Sequence, residues 1–294
     1  MNKDLVLSKC NYFVDVQLWP IKDSLDPEAW LSNFLPDELE HAVNLLNSFQ
    51  YFSETLVNQM FIAGFQMFSN QIRKQKDSYL EAKTAWHNFI DNALITPLRG
   101  EIPSIADSGF IFARKARQQL GLKERQLLNK EECLELLQKS TGPFSIIFVD
   151  DFLGSGRQLI HTWEKEIKLG PDWVSFKSLS SSLRNTKFYY FPIIATTYGM
   201  GRVLKQYPEI AILPVHELSS KYSALAPDSI IWPEHLKASA HDFLLNASTR
   251  AGIMNWKGFH DLSLCLGFYH SVPDATLPIF FSDKNGWKPL IKRT

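Results

Sequence analysis

One stretch holds residues whose types and spacing can do chemistry: Ile146-Ile147-Phe148-Val149-Asp150-Asp151-Phe152-Leu153-Gly154-Ser155-Gly156-Arg157-Gln158. An apolar run of strand character delivers two adjacent carboxylates at its C-terminal end. A Gly-Ser-Gly turn follows, and then a helix begins. In an open parallel sheet, ligands sit beyond the carboxyl ends of the strands. A helix start offers amide hydrogens and partial positive charge, which suit a phosphate. Gly154 and Gly156 let the backbone wrap closely, the Ser155 hydroxyl can donate, and Arg157 and Gln158 complete the cup. Asp150 and Asp151 would face the sugar end, where carboxylates accept from vicinal hydroxyls and can hold hydrated Mg2+. A carboxylate pair beside a phosphate cup fits a 5-phosphorylated ribose. The acids are expected at a solvated strand end, where removing their charge would cost little stability.

Other phosphate and nucleophile motifs fail on the same letters. A dinucleotide fingerprint needs a third glycine where Leu159 stands, and a P-loop needs Gly-Lys-Ser/Thr where Gly156-Arg157-Gln158 stands. A haloacid-type phosphatase needs two aspartates one residue apart, and these are adjacent. Neither the Gly-Ser-Gly turn nor the ADSGF around Ser108 makes a GxSxG nucleophile elbow. An ordinary strand-to-helix turn with two solvated acids is the plain structural alternative.

The segment resembles the phosphoribosyl-diphosphate-binding motif of type I phosphoribosyltransferases, where apolar residues precede two acids and a short Thr-Gly turn closes on the 5-phosphate. Ser155 stands where that family usually has Thr, and Arg157 and Gln158 replace small residues. The resemblance sharpens toward the phosphoribosyltransferase-like proteins of bacterial antiphage and other conflict loci, some beside retron reverse transcriptases. Three more stretches look like that branch: ADSGFIFARKARQQLGL (106–122), Ala195-Thr196-Thr197-Tyr198-Gly199, and PDATLPIFFSDKNGWKPLIKR (273–293). With the central motif they span about residue 100 to the C-terminus.

The resemblance implies binding of phosphoribosyl diphosphate or a related 5-phosphoribosyl nucleotide, with Mg2+ as cofactor held by Asp150 and Asp151. In a transferase or hydrolase the same acids would be catalytic, stabilising charge at the anomeric carbon. It also implies an effector in an antiphage system, with a protein partner or self-association through the N-terminal helices and a reverse transcriptase as a candidate partner. The alternative is a non-catalytic ligand-sensing or scaffold module that regulates a partner.

Further residues are candidates with bland alternatives. Arg114, Lys115 and Arg117 on one basic helix could neutralise a diphosphate or form a solvated face. Thr196 and Thr197 could touch the base or diphosphate, or simply cap a helix. Trp232, Trp256, Trp287, Phe280 and Phe281 could form a stacking wall, but core packing is the commoner fate of such residues. The eight histidines include no HExxH pair.

The elements that must position these residues follow from periodicity. The first hundred residues read as helical: Asp26-Pro27-Glu28 and Pro36-Asp37-Glu38 are start signals, and Ser53 caps a longer helix containing Leu56, Met60, Gly64 and Met67. Tyr79, Ala82, Trp86, Phe89 and Ile90 mark a fourth helix. RGEIPSIADSG reads as a loop, with Ser108 capping the basic helix, and Asn129 caps the next. Strands FSIIFV, KFYYFPII and EIAILPV then alternate with helices. The C-terminal third predicts a helix from Pro233 to about Asn246, another from His260 to Phe268, and a strand TLPIFF. The fold class is α/β: a phosphoribosyltransferase-like, doubly wound, mainly parallel sheet with helices on both faces, an N-terminal helical region (1–98), and an α/β domain with a C-terminal extension (99–294).

With 294 residues, 45% hydrophobic and 13% aromatic, the chain is too apolar for disorder. Thirty-one Lys and Arg balance 31 Asp and Glu. That balance removes a general electrostatic drive toward nucleic acid or anionic membrane. Cys10, Cys133 and Cys265 are far apart and odd in number, so no disulfide framework or CxxC zinc pair is expected. No secretory signal or apolar run of spanning length is apparent, so a cytoplasmic protein without membrane association is expected.

Overall fold

The computed structural model describes residues 1–21, 24–74, 76–98, 108–140 and 142–293, with Ser108 described by its backbone only. The loop expected before Ser108 and the capping role of its side chain lie outside the described residues. The chain divides into two compact units: Met1–Val57 with Leu218–Thr294, and Asn58–Glu217.

In the first unit, α1 (Lys3–Asp15) is capped by Asn2, whose side chain accepts from the Asp4 and Leu5 amides. Asp26 caps α2 (Pro27–Leu31) through the Ala29 amide at 3.0 Å, as its start signal predicts. After α3 (Leu39–Asn47), strand β1 (Gln50–Phe52) leads to Ser53, whose hydroxyl accepts from the Leu56 amide at the start of α4 (Glu54–Arg73).

In the second unit, α4 continues into α5 (Tyr79–Asp91) and strand β2 (Ala93–Pro97). Helices α6 (Ser108–Leu120) and α7 (Lys130–Lys139) precede β3 (Ser145–Leu153). Asn129 caps α7 in a reciprocal box with Glu132. After β3 come α8 (Arg157–Glu164), the antiparallel pair β4 (Ile167–Leu169) and β5 (Asp172–Val174), and α9 (Phe176–Ser180). Strand β6 (Lys187–Thr196), α10 (Thr197–Gln206) and β7 (Ile210–Ile212) complete the alternation. The sheet order β2-β3-β6-β7 is parallel throughout. This is an α/β fold with a parallel sheet, as the alternation predicts.

Both faces of that sheet are covered, which is why β3 and β6 read as near-continuous apolar runs. On β6, Phe188 packs against Trp163 of α8 (4.9 Å between centroids), and Phe148 of β3 packs against Phe176 of α9 (4.9 Å). The alternate residues Tyr189 and Phe191 meet Phe68 and Phe61 of α4, and Phe61 meets Phe112 of α6.

The remaining elements return to the first unit: β8 (His216–Leu218) at the boundary, then α11 (Glu234–Lys237), α12 (Ala240–Arg250) and β9 (Leu266–Phe268), which pairs in parallel with β1. Three expectations are corrected. The helix expected from Pro233 breaks at Ala238–Ser239 into α11 and α12. The helix expected over His260–Phe268 is a short 3-10 turn followed by β9. The strand expected in TLPIFF is a 3-10 turn (Pro278–Phe280) whose Ile279 carbonyl accepts from the Trp30 and Trp287 indoles, at 2.9 and 3.0 Å.

The units also divide the chain elsewhere than at residue 98. Trp30 stacks on Phe280 at 5.2 Å, so the first helices bury their apolar faces against the C-terminal segment. Residues 93–97 form a strand of the sheet. The tryptophans that could have made a stacking wall split accordingly: Trp232 and Trp287 are core, and Trp256 is only half-buried.

All three cysteines are free and buried, and burial pushes the Cys133 thiol up to about 12. Among the described residues no helix is long and apolar enough to cross a membrane.

Gly64 shows how closely α4 lies on the sheet: a Cβ there would stand 2.5 Å from Val215 Cγ2 and 2.6 Å from Phe191 Cε2. Gly64→Val is expected to destabilise the protein by ~1–3 kcal/mol through overpacking. A urea unfolding midpoint unchanged from wild type would contradict this packing.

Candidate functional site

Asp150 and Asp151 lie within β3, which continues past its apolar run to Leu153. The ladder sets Asp150 opposite Pro192 of β6 and resumes with Phe152 opposite Ile194. Pro192 has no N–H to give, so the pairing is interrupted beside the two acids. Both carboxylates are buried, Asp150 at 2% exposure and Asp151 at 7%, which corrects the expected solvated strand end.

Burial requires partners. Successive strand residues face opposite sides, so Asp150 shares the face of Phe148 and Tyr190. The Tyr190 hydroxyl donates to Asp150 Oδ2 at 3.3 Å, and the Asp151 amide donates to Asp150 Oδ1 at 3.0 Å. Burial first, then the charges of Asp150 and Asp151, hold the Tyr190 phenol well above its ordinary range, so it stays a donor.

After β3 the chain turns through Gly154, Ser155 and Gly156. Gly156 is left-handed (φ +78°) and stands at the N-cap of α8 without a side chain to cap it. The first backbone bond of α8 runs from the Ile160 amide to the Gly156 carbonyl at 3.0 Å. The amides of the helix start, including those of Gln158 and Leu159, therefore point out past the turn. Arg157 is exposed at this end, Gln158 is half-buried, and Ser155 is buried.

The turn is clamped from α10. The Thr196 hydroxyl donates to the Gly154 carbonyl and accepts from the Gly199 amide at 2.9 Å. A Cβ on Gly199 would lie 2.2 Å from the Gly154 carbonyl oxygen, so only glycine permits the approach. The Arg202 guanidinium donates to the Ser155 carbonyl at 3.0 Å. A Cβ on Gly156 would meet Val203 Cγ2 at 2.7 Å. A side chain at position 156 would thus collide with α10.

The structure brings together Asp150, Asp151 and the turn from Gly154 to Gln158, with Thr196 beneath them. Thr196 has the capping role, and its hydroxyl is committed to Gly154 and Gly199; Thr197 is exposed. The basic cluster divides. Lys115 is buried and donates to Asn58 Oδ1, Arg117 pairs with Glu124, and Arg114 is exposed. Sequence reasoning missed Tyr190, Pro192 and Arg202. A proline within an apolar strand run was the one signal available in advance.

A model of one family, PRTase-CE, matches residues 27–293. The chain belongs to that family. PRTase-CE proteins are phosphoribosyltransferase-like and associated with conflict systems. Among curated proteins, none matches the chain.

The clamp yields two expectations. Gly199→Ala forces α10 away from Gly154 and should cost ~1–3 kcal/mol. Thr196→Val removes one donor and one acceptor and should cost roughly 1–3 kcal/mol. Thermal unfolding of both variants checks this, and unchanged stability in both would contradict the clamp.

Proposed function

We propose that the segment from Asp150 to Gln158 binds phosphoribosyl diphosphate or a related 5-phosphoribosyl nucleotide together with Mg2+. One observation carries this reading: a single strand-turn-helix passes directly from two carboxylates to a glycine-formed helix start held in place by α10. The helix start suits the 5-phosphate and the acids suit the ribose hydroxyls.

The donor set fits magnesium in one mode. Mg2+ keeps several waters and is commonly bound through one or two carboxylates plus ligand phosphates. Among the described residues no group of three His, Cys, Asp or Glu could cage a metal alone. Asp150 and Asp151 would therefore hold an ion that arrives with the ligand's oxygens. Bound there, Mg2+ would offset charge on a leaving diphosphate.

In a catalytic form of this reading, the bond from the anomeric carbon to the diphosphate oxygen breaks, and an acceptor or water takes its place. Asp150 and Asp151 stabilise the positive charge that develops on the sugar. Exposed Arg114 is the member of the basic cluster that remains a diphosphate candidate. A second reading, a ligand sensor that regulates a partner, is favoured by the burial of both acids and by the internal partners of Asp150.

The family's association with conflict systems supports an effector role in bacterial antiphage defence, acting in the cytoplasm. The surface of α1 supports a protein partner or self-association at the N-terminal helices. Leu5 (68% exposed) and Tyr12 (60%) lie seven residues apart on one stripe, and Val16 continues it just past the helix. A retron reverse transcriptase is the partner the antiphage reading suggests.

Calorimetric titration with phosphoribosyl diphosphate and Mg2+, paired with a diphosphate-release assay, tests the reading. Binding with release supports the enzyme, and binding without release supports the sensor. Ser155→Ala is expected to weaken binding by roughly one to two orders of magnitude. Asp150→Asn with Asp151→Asn should abolish it, with some loss of stability because both sites are buried. Dephosphorylated ribose ligands should bind poorly and be insensitive to Ser155→Ala. Equal loss for phosphorylated and dephosphorylated ligands would exclude a phosphate cup at this turn.

A further inference from the structure

A cleft of about 840 Å³ lies wholly within the unit formed by Met1–Val57 and Leu218–Thr294. It lies between the 252–261 segment and the C-terminal stretch. Its walls carry the rings of Trp256, Phe259 and Phe281 and the cations of Lys257, Lys284 and Arg293.

The backbone around it is held in costly conformations. His260 (φ 55°), Asp261 (φ 55°), Ser263 (φ 49°) and Asn285 (φ 50°) are all left-handed without being glycine. Such residues persist only where their surroundings over-determine them, and they cluster at ligand clamps. Here the determinants are visible. The Ser263 amide and hydroxyl both donate to the Lys257 carbonyl at 3.0 Å, and the Phe259 amide donates to the Asp274 carbonyl at 2.7 Å. Gly258 (φ 72°) lies so close to the next segment that a Cβ would be 2.7 Å from the Ala275 carbonyl oxygen. On the opposite wall Asn285 reaches the Arg250 carbonyl and fills the space beside Gly252.

The lining chemistry is specific. Lys257 Nζ lies 5.3 Å from the Trp256 ring centroid, and the Arg293 guanidinium lies 5.1 Å from that of Phe281. Asp261 is 3.7 Å from Lys257, and Asp274 pairs with Arg293. Lys257, Lys284 and Arg293 against Asp261 and Asp274 leave a surplus of positive charge. Trp256 is half-buried, and Phe259 is exposed at 41%. Partly exposed rings beside cations accept a planar base by stacking and its phosphate by charge, while carboxylates accept from amino or hydroxyl groups. The volume lies in the range of small-molecule sites.

We propose that this cleft binds a nucleobase carrying a phosphate, either as a free nucleotide or as part of a single strand. Trp256 and Phe281 stack the base, and Lys284 meets the phosphate.

The test is calorimetric titration of the full chain with adenosine 3′-monophosphate and with a hexameric oligodeoxyadenylate bearing a 5′-hydroxyl. Neither carries a terminal 5′-phosphate monoester, the group that the Gly154–Gly156 turn would read, so the two sites fail independently. Saturable binding is expected. Trp256→Ala should weaken it about tenfold or more, and Trp256→Phe, which keeps a ring, should restore most of it. Lys284→Ala, at an exposed position, should weaken the nucleotide but not adenosine titrated in parallel. Oligonucleotide binding at least about tenfold tighter than the mononucleotide identifies a strand as the source, and similar affinities identify a free nucleotide. No saturable binding by either probe at millimolar concentration, or binding that Trp256→Ala and Lys284→Ala leave unchanged, overturns the proposal.

Discussion

The geometry of the candidate site depends on the contact between the start of α10 and the turn after β3. A glycine turn has little conformational preference of its own, and its freedom is lost only when something outside it fixes its carbonyls. Thr196 and Arg202 do so from adjacent turns of the same helical segment, one on the Gly154 carbonyl and the other on the Ser155 carbonyl. Gly199 permits the approach by having no side chain. With both carbonyls committed to Thr196 and Arg202, the amides at the start of α8 supply the polarity an anion needs.

The clamp works because β3 and β6 are neighbours in register from Ser145 opposite Lys187 to Leu153 opposite Ala195. The strands end together, so the turn after one meets the helix start after the other. Aromatic packing on both faces holds that register, since a slip of one residue would exchange the environments of Tyr190 and Phe191. Tyr190 cannot be exchanged without cost, because its hydroxyl serves Asp150. The polar pair at the sheet's end and the apolar layers behind it thus enforce the same alignment.

Legibility in the sequence follows from the range of the interactions. Strand, acids, glycine turn and helix start are contiguous, so their spacing was enough to locate them. The caps at Asp26, Ser53, Asn129 and Thr196 are local as well, and each acts within three residues of itself. What could not be read is long-range. The apolar run TLPIFF resembles a strand until Trp30, roughly 250 residues earlier, takes the Ile279 carbonyl. The same pairing places the chain's two ends in one unit, which no boundary drawn along the sequence could anticipate. Burial of Asp150 beside Tyr190, and of Asp151 on a β3 that extends past its apolar residues, does not follow from the charge of two adjacent acids.

Burial also separates the roles of the two halves of the site. A carboxylate in water loses little by binding a sugar hydroxyl, because it exchanges one hydrogen bond for another. A carboxylate already desolvated by the fold has met that cost during folding, and its remaining acceptor capacity is directed rather than free. Asp150 is oriented by a phenol that stays protonated, so its geometry is set by the fold before any ligand could arrive. The helix start works differently: its amides are fixed by the backbone and need no orienting side chain. A ligand with a phosphate at one end and hydroxyls at the other would therefore bind to two preorganised surfaces on one strand-turn-helix. Such a site can hold its ligand firmly with or without turnover, which is what both an effector that consumes a nucleotide and one that senses it require.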